Sequence, residues 1–191
     1  MSTTDAIATD YATKFPQAII RPFGGVWPAI DDSAFIAPGA VVIGDVVIGP
    51  QSSIWYGVVV RGDDHAIRIG ARTNIQDGTI IHVFNDGRST FPTEIGDDVI
   101  VGHGAKLHGC RLDNGCLIGI GAIVLDGAVI ERQALVAAGS VVAPGKVVPE
   151  GQLWAGNPAR YKRDLTDEER GYLGWNVGHY VRTAAAHKAP G

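Results

Sequence analysis

Aliphatic residues recur at every sixth position along most of this 191-residue chain. The positions that keep this period, with one step of five before Leu112, are Ile36, Val42, Ile48, Ile54, Val60, Ile69, Ile75, Ile81, Ile95, Val101, Leu107, Leu112, Ile118, Val124, Ile130, Val136, Val142 and Val148. A short interruption precedes Ile69 and a longer one precedes Ile95. Glycine directly follows several of these positions, and the chain contains 26 glycines. The pattern predicts short strands joined by tight corners.

A period of six predicts a coil with three flat faces in each turn. One aliphatic side chain of each hexad points inward and stacks on its equivalent in the next coil, about 4.8 Å away. Glycine and small polar residues occupy the corners. Three such positions per turn predict a mainly β fold, a single-stranded parallel β-helix of about six coils. A sandwich or barrel of short strands is the alternative, and it would show alternation and turns every ~8–12 residues instead.

The two ends of the chain depart from the repeat. The expected division is residues 1–34 as an N-terminal lead-in and cap, 35–161 as the β-helix, 83–94 as a loop excursion within it, and 162–191 as a C-terminal α-helix and tail. Thr166 and Glu169 have the spacing of a capping box, in which each side chain bonds the other residue's backbone amide. This spacing predicts that the helix begins there.

Charge and composition indicate which binding partners and which cellular location to expect. The formal net charge is −4 and the sequence pI is about 5.8, which argues against nucleic acid or an anionic membrane as the main partner. Glycine, aspartate or proline breaks every long apolar stretch, so no transmembrane helix is expected. The first residues lack the features of a signal peptide, and two cysteines are too few for a disulfide framework. A cytoplasmic protein is therefore expected.

Three of the six histidines take related places in the repeat. His82 and His108 each follow an inward aliphatic position, and these positions are three hexads apart once the excursion is set aside. Both side chains are therefore expected on the same face, one coil apart, where two imidazoles can reach one metal ion. His103 belongs to the preceding hexad and is expected on a different face.

A neighbouring subunit could bring His103 to the same metal. If three subunits pack around an axis parallel to the coils, each interface joins two histidines from one chain to one from the next. Three histidines with an open fourth position are the arrangement of catalytic zinc. A histidine considered singly is more often an ordinary surface or hydrogen-bonded residue, and only the shared geometry favours a ligand set here.

Other polar residues fall on the same two faces. Arg61 is expected on the face of the His82 and His108 pair, whereas Gln76 and Asp77 share the face of His103. Polar groups thus converge on one junction. The histidines and cysteines that fit no such pattern, and are not expected to be ligands, are His65, His179, His187, Cys110 and Cys116.

Five short motifs carry a resemblance to a known family. They are V-R-G-D at residues 60–63, N-I-Q-D-G at 74–78, H at 82, G-H at 102–103 and H-G-C at 108–110. Together they resemble the γ-class carbonic anhydrases over about residues 21–161. The segment G-N-P-A at residues 156–159 occurs widely in hexapeptide-repeat acyltransferases and does not discriminate.

This resemblance implies a left-handed β-helix that assembles as a homotrimer, with Zn²⁺, or alternatively Fe²⁺ or Co²⁺, at each of three interfaces. It implies His82 and His108 as metal ligands from one subunit and His103 from the next. A bound water acidified to a pKa of about 7 would attack carbon dioxide as hydroxide and give bicarbonate.

The resemblance also implies roles for residues around the metal. Gln76 is similar to the residue that orients the hydroxide. Arg61 and Asp63 are similar to an inter-subunit ion pair that supports the site, although a purely structural role for Arg61 stays open. Tyr180 is expected to line the site, with simple packing as the alternative. In place of the acidic loop of the best-known member, this chain offers Asp86 or His179 as candidate proton shuttles.

Two other functions remain open at this point. One is an acyl-CoA thioesterase or acyltransferase, because many hexapeptide-repeat proteins transfer acyl groups with one histidine as general base. The other is a non-catalytic, metal-binding assembly subunit. Three convergent histidines argue against an acyltransferase, whereas a thioesterase that uses a metal stays open. The missing acidic loop keeps the assembly subunit open as well.

Overall fold

The computed structural model describes residues 3–188. Helix α1 (Thr3–Lys14) opens the chain and helix α2 (Asp167–Lys188) closes it. The strands between them are β1 (Ile19–Arg21), β2 (Ala29–Ile30), β3 (Phe35–Ile36), β4 (Val41–Ile48), β5 (Ser53–Ile54), β6 (Val59–Ile69), β7 (Asn74–Ile75), β8 (Ile80–His82), β9 (Phe84–Asn85), β10 (Thr90–Phe91), β11 (Thr93–Ile95), β12 (Ile100–Val101), β13 (Lys106–His108), β14 (Arg111–Leu112), β15 (Leu117–Ile118), β16 (Ile123–Val124), β17 (Val129–Ile130), β18 (Leu135–Val136), β19 (Val141–Val142), β20 (Val147–Val148), β21 (Gln152–Ala155) and β22 (Arg160–Asp164). No helix within these residues is both long and apolar enough to span a membrane.

Parallel strands stack into three faces of one solenoid. The first face holds β1, the start of β4, the start of β6, β8, β13, β16 and β19. The second holds β2, the end of β4, the end of β6, β11, β14, β17 and β20. The third holds β3, β5, β7, β12, β15, β18 and β21. The predicted mainly β, parallel β-solenoid fold with a C-terminal helix is confirmed.

The solenoid has somewhat more turns than the six coils expected. Each face stacks seven strand segments within residues 3–188, and β22 adds an antiparallel layer to the third face. Ile20 and Ile30, in the expected lead-in, pair with Val42 and Ile48 and so extend the stack. At the other end Trp154 pairs with Val136. Ile30 and Trp154 lie six residues before Ile36 and six after Val148, so the count from sequence was too low because it stopped inside the repeat.

The inward aliphatic column forms the core, as the period predicts. Every one of its positions, from Ile36 to Val148, is at most 3% exposed. On the third face, for example, Ile75 lies between Ile54 and Val101 in register. Burying such a side chain contributes about 1.5–3 kcal/mol. This column fixes the register of the faces and therefore the height of each polar side chain outside it.

The excursion after β8 is an antiparallel hairpin of β9 and β10. At its tip the Asp86 carboxylate accepts the backbone N–H groups of Arg88 and Ser89, at 2.9 and 2.7 Å. Phe84 and Phe91 pack against each other across the hairpin, with ring centres 6.1 Å apart. The hairpin therefore lies beside the end of β8, where His82 sits.

Helix α2 begins with the predicted capping box. The Thr166 N–H donates to Glu169 Oε2 at 2.9 Å, and the Glu169 N–H donates to Thr166 Oγ1 at 3.2 Å. The helix packs on β12, β7, β5 and β3. At its end Lys188 Nζ donates to backbone carbonyls of the first coils, including Ala34 O at 2.9 Å. Its 22 residues span about 33 Å, so it runs back along most of the solenoid.

Candidate metal centre

His82 and His108 lie side by side on the first face. Strands β8 and β13 pair in register with the two histidines opposite each other. His82 Nδ1 and His108 Nε2 are 3.2 Å apart. The predicted placement on one face, one coil apart, is confirmed. Two imidazole nitrogens at this separation are close enough to bind one metal ion together.

The other nitrogen of each ring is held by an aspartate. His82 Nε2 lies 2.9 Å from Asp63 Oδ1, and His108 Nδ1 lies 2.5 Å from Asp126 Oδ1. A carboxylate in this place fixes the ring orientation and tautomer of a metal-ligating histidine and raises its basicity. The two aspartates therefore fix the orientation of both rings.

Asp63 connects the histidine pair to Arg61. Burial alone would raise the pKa of Asp63, but hydrogen bonds from His82 and Arg61 together hold that pKa below its ordinary value. The Arg61 guanidinium reaches Asp63 Oδ2 within the same chain. Arg61 therefore anchors an ionised Asp63 beside His82, and the inter-subunit role implied for this ion pair stays a prediction.

His103 lies at the corner between β12 and β13, away from the pair. Gly104 after it has a φ of +65°, which lets the chain bend sharply. His103 Nδ1 lies 2.9 Å from Asp77 Oδ2, and the His103 side chain is 49% exposed. Its backbone N–H donates to Gln76 Oε1 at 3.2 Å. The expected grouping of Gln76, Asp77 and His103 is thus present.

A single chain brings together two of the three predicted ligands but not the third. In the part of the chain that the structure describes, the group of three side chains close enough to hold an ion is Asp63, Asp64 and His82, with ligand atoms within 4.8 Å of one another. His103 is outside this group. All three histidines nevertheless share one arrangement, since each has one ring nitrogen on its own aspartate. That donor set fits a zinc-like ion.

Gln76 and Tyr180 meet His103 in one cavity rather than at the histidine pair. This cavity of about 340 Å³ lies between α2 and the corner that carries His103. Gln76 is 5% exposed. Tyr180 packs edge-on against Trp55, with ring centres 6.1 Å apart, and burial raises the pKa of its phenol. Of the four predicted catalytic residues, Arg61 and Asp63 lie at the pair, and the other two line this cavity.

The contacts of the two candidate proton shuttles are with groups other than the histidine pair. Asp86 caps the turn of the hairpin, and the backbone N–H groups of Ser89 and Arg88 hold its pKa below the ordinary value. A carboxylate committed in this way is a weak base. His179 stacks on Trp175 with ring centres 5.2 Å apart.

The remaining histidines and the cysteines have other surroundings. His65 Nδ1 accepts the Ala66 N–H, and His187 packs against Trp55. Cys110 and Cys116 are buried, as expected, and burial raises the pKa of the Cys110 thiol to about 12. A thiol that stays protonated is a poor metal ligand.

Asp126 was not identified from the sequence. It lies two residues after Val124, which pairs with Leu107 beside His108. The Gly127 N–H donates to Gly109 O at 2.7 Å, and this contact stacks the corner of Asp126 on the corner after His108. An added Cβ at Gly109 would lie 2.7 Å from Asp126 Oδ1. The repeat predicts the coil in which Asp126 lies. Only the geometry of the corner shows that its carboxylate points toward His108.

Comparisons with known proteins agree with this architecture. Residues 29–62 match the family described as "Bacterial transferase hexapeptide (six repeats)". The chain is 48% identical over 164 residues to "Gamma carbonic anhydrase 1, mitochondrial" of Arabidopsis thaliana, covering 85% of this chain and 60% of the relative. It is 49% identical over 153 residues to "Probable carbonic anhydrase" of Methanocaldococcus jannaschii, covering 80% and 94%. The chain thus spans about three-fifths of the length of the plant relatives.

A solved structure supports the same fold at a comparable level of identity. The X-ray structure of a putative acetyltransferase from Bacillus cereus has a TM-score of 0.87 and 40% sequence identity. The match covers 90% of this chain and 98% of that one. The similar proteins therefore carry both a hydratase name and a transferase name.

Proposed function

Because this chain belongs to the γ-class carbonic anhydrase family, we propose that it catalyses the reversible hydration of carbon dioxide to bicarbonate at a metal shared between subunits of a homotrimer. One observation carries the proposal above the others. His82, His103 and His108 each bind one aspartate through one ring nitrogen and leave the other nitrogen for a metal. An acyltransferase that uses a single histidine as base has no need of three such pairs.

The coil heights support a site assembled between chains. His103 lies just after β12, His108 ends the next strand, β13, and His82 lies one turn away from His108. In a trimer with its axis along the solenoid, rotation alone brings the corner of one subunit level with the face of the next. His103 would then meet the His82 and His108 pair of its neighbour. The roles of Arg61 and Asp63 in supporting this interface follow from two contacts, that of Asp63 with His82 and that of Arg61 with Asp63.

We assign zinc as the native ion, with Fe²⁺ or Co²⁺ as ions that the same imidazoles can hold. When bound, such an ion lowers the pKa of a coordinated water to about 7 and so supplies hydroxide for attack on carbon dioxide. The chain's own contribution is to orient the three imidazoles. Asp63, Asp77 and Asp126 keep the imidazoles in the tautomer that presents a lone pair to the ion.

Gln76 and Tyr180 act on the substrate side. Because Gln76 Oε1 accepts the His103 N–H, its amide NH₂ is left to donate to an oxygen of the substrate or product. Tyr180 offers a phenol to the same cavity. Apolar side chains such as Leu117 and Ile120 form the remaining wall, which suits a small apolar gas.

The test is carbon dioxide hydration by stopped flow on protein whose metal content and oligomeric state are measured in the same sample. We expect a trimer by light scattering, about one ion per chain, and turnover that His108→Ala abolishes while the control His65→Ala retains it. A monomer would contradict the shared site. A metal-loaded trimer without turnover would contradict the hydration.

An acyl-CoA activity is the second candidate, because the Bacillus cereus structure is described as a putative acetyltransferase. Hydrolysis or transfer from acetyl-CoA, assayed on the same sample, separates the two. A metal-loaded trimer inactive in both assays would indicate an assembly subunit. The cytoplasmic location expected from the N-terminal sequence stays a prediction, and the plant relatives are named as mitochondrial proteins.

A further inference from the structure

The hairpin of β9 and β10 carries two phenylalanines that hexad counting did not place. Phe84 packs at a steep angle against His108, with ring centres 6.3 Å apart. It also packs against Phe91 across the hairpin, and both phenylalanines are half-buried. The excursion thus brings an aromatic pair to one of the two histidines on the first face.

Phe91 rests on two glycines at the corner after His108. An added Cβ at Gly109 would lie 2.9 Å from Phe91 Cβ, and one at Gly127 would lie 3.1 Å from Phe91 Cε1. A side chain at either position would therefore displace the hairpin from the corner. Because Gly109 follows His108 and Gly127 follows Asp126, Phe91 lies beside both partners of the bond between His108 and Asp126.

The hairpin is fixed at its neck and at its tip. At the neck, Thr93 is fully buried, and its hydroxyl donates to the carbonyl oxygen of His82 at 2.5 Å. At the tip, the Ser89 N–H donates to Asp86 Oδ1 at 2.7 Å. These bonds, with the packed rings between them, hold the hairpin in place over the corner.

The bond beside this hairpin is the one that orients His108. His108 Nδ1 and Asp126 Oδ1 are 2.5 Å apart, and the two side chains are 36% and 26% exposed. Water that reaches such a bond competes for both partners, whereas a low local dielectric strengthens it. The strength of the bond therefore depends on what packs beside it, and the hairpin supplies the rings of Phe84 and Phe91.

We propose that Phe84, supported by Phe91, is a positioning residue for His108. Its ring keeps water from the bond to Asp126, and this bond holds the imidazole in the orientation and tautomer that present Nε2 to the ion. Phe84 acts through His108 and contacts neither the ion nor the substrate. This inference rests on the proposed function, in which His108 is a metal ligand, and it gives the excursion a role other than proton transfer.

Zinc affinity, measured by competition with a chelator, tests this role in a double-mutant cycle. Phe84→Ala should weaken zinc binding about 10-fold, the lower end of the range for groups behind a metal ligand. In an Asp126→Asn background the same change should cost less than about 3-fold, because the bond that the ring protects is already weakened. In an Asp77→Asn background it should cost the full factor, since Asp77 binds His103 instead. Phe23→Ala, which removes an exposed phenylalanine of the first coil, is the control.

A second measurement needs no metal. Exchange of the His108 ring N–H with water, followed by NMR in the apo protein, should be about 10-fold faster in Phe84→Ala than in wild type. Phe84→Leu keeps an apolar side chain over the bond and should stay within about 3-fold of wild type in both measurements.

Phe91→Ala removes only the supporting ring and keeps the inference open to contradiction if Phe84→Ala misfolds, with an expected loss of about 3-fold in zinc affinity. An unchanged value in either measurement, in a folded variant, would overturn the inference. Equal losses of zinc affinity with and without Asp126 would also overturn it, because a hairpin that supports only the fold acts independently of that aspartate. Coupling between Phe84 and Asp126, in a zinc-binding protein without hydration turnover, would instead support the inference and contradict the proposed hydration.

Discussion

The first face and the corner beside it present the three histidines in opposite ways. On the face, strand register places His82 against His108, with side chains 17% and 36% exposed. At the corner, His103 stands alone with its side chain 49% exposed. Both regions nevertheless pair each imidazole with an aspartate. One chain therefore carries the two parts of the proposed metal site separately, as an assembled histidine pair and an outward single histidine.

The difference teaches that the fold, rather than proximity in sequence, decides which of the three histidines lie together. Residues one coil apart on a face are neighbours, whereas residues five apart across a corner point in different directions. His103 is closer to His108 in sequence than His82 is, yet only His82 shares its face. The predictions below test whether the two regions act as one site.

The largest expected effect comes from removing a ligand in either region. His108→Ala and His103→Ala should each lower zinc affinity by ~100-fold or more. A histidine that binds the metal directly contributes more to affinity than the aspartate that holds it. Zinc content after dialysis against a chelator measures this. His65→Ala is the matched control. Retention of zinc in His103→Ala alone would mean that the corner is not part of the site.

A smaller effect is expected from the aspartates behind the ligands. Asp126→Asn on the face and Asp77→Asn at the corner should each weaken zinc binding about 10- to 100-fold while the trimer persists. Competition with a coloured chelator gives the affinities. Asp113→Asn, which breaks an ion pair with Arg111 elsewhere on the surface, is the control. Weaker zinc binding in Asp126→Asn but not in Asp77→Asn would show that an aspartate is needed to orient His108 and not to orient His103.

The smallest effect is expected at the cap of α2, which covers the cavity beside the corner. Thr166→Ala removes one side of the capping box and should lower the free energy of unfolding by about 1 kcal/mol. Thermal or urea unfolding measures it. Zinc affinity should not change, since the cap touches neither half of the site. A change in zinc affinity would link the helix end to the ligands.

The fold was predictable because the period of six directly marks the aliphatic residues that point into the core. Ile81 and Leu107, both buried, fix the heights of His82 and His108 and hence their contact. The number of turns was underestimated because Ile20 lies off the period, and because Trp154, six residues after Val148, is aromatic rather than aliphatic. The helix start at Thr166 was readable because the capping box is a local motif.

The site was predictable only in part, because corners do not follow the period. Hexad counting gives the height of Asp126 but not the turn that aims its carboxylate at His108. Phe84 and Phe91 lie in the excursion, where the period of six is absent, so their place beside His108 needed the packed structure. Asp86 resembled a free carboxylate in sequence and is instead committed to a turn.

The central claim is that each metal site takes its pair from one chain and His103 from the next. Co-expression of His82→Ala and His103→Ala chains tests it most directly. Each variant alone should lack zinc and hydration activity. Random trimers should recover roughly a quarter of the sites, since half of the faces and half of the corners are intact. Heterotrimers verified by mass spectrometry that recover neither zinc nor activity would contradict the shared site.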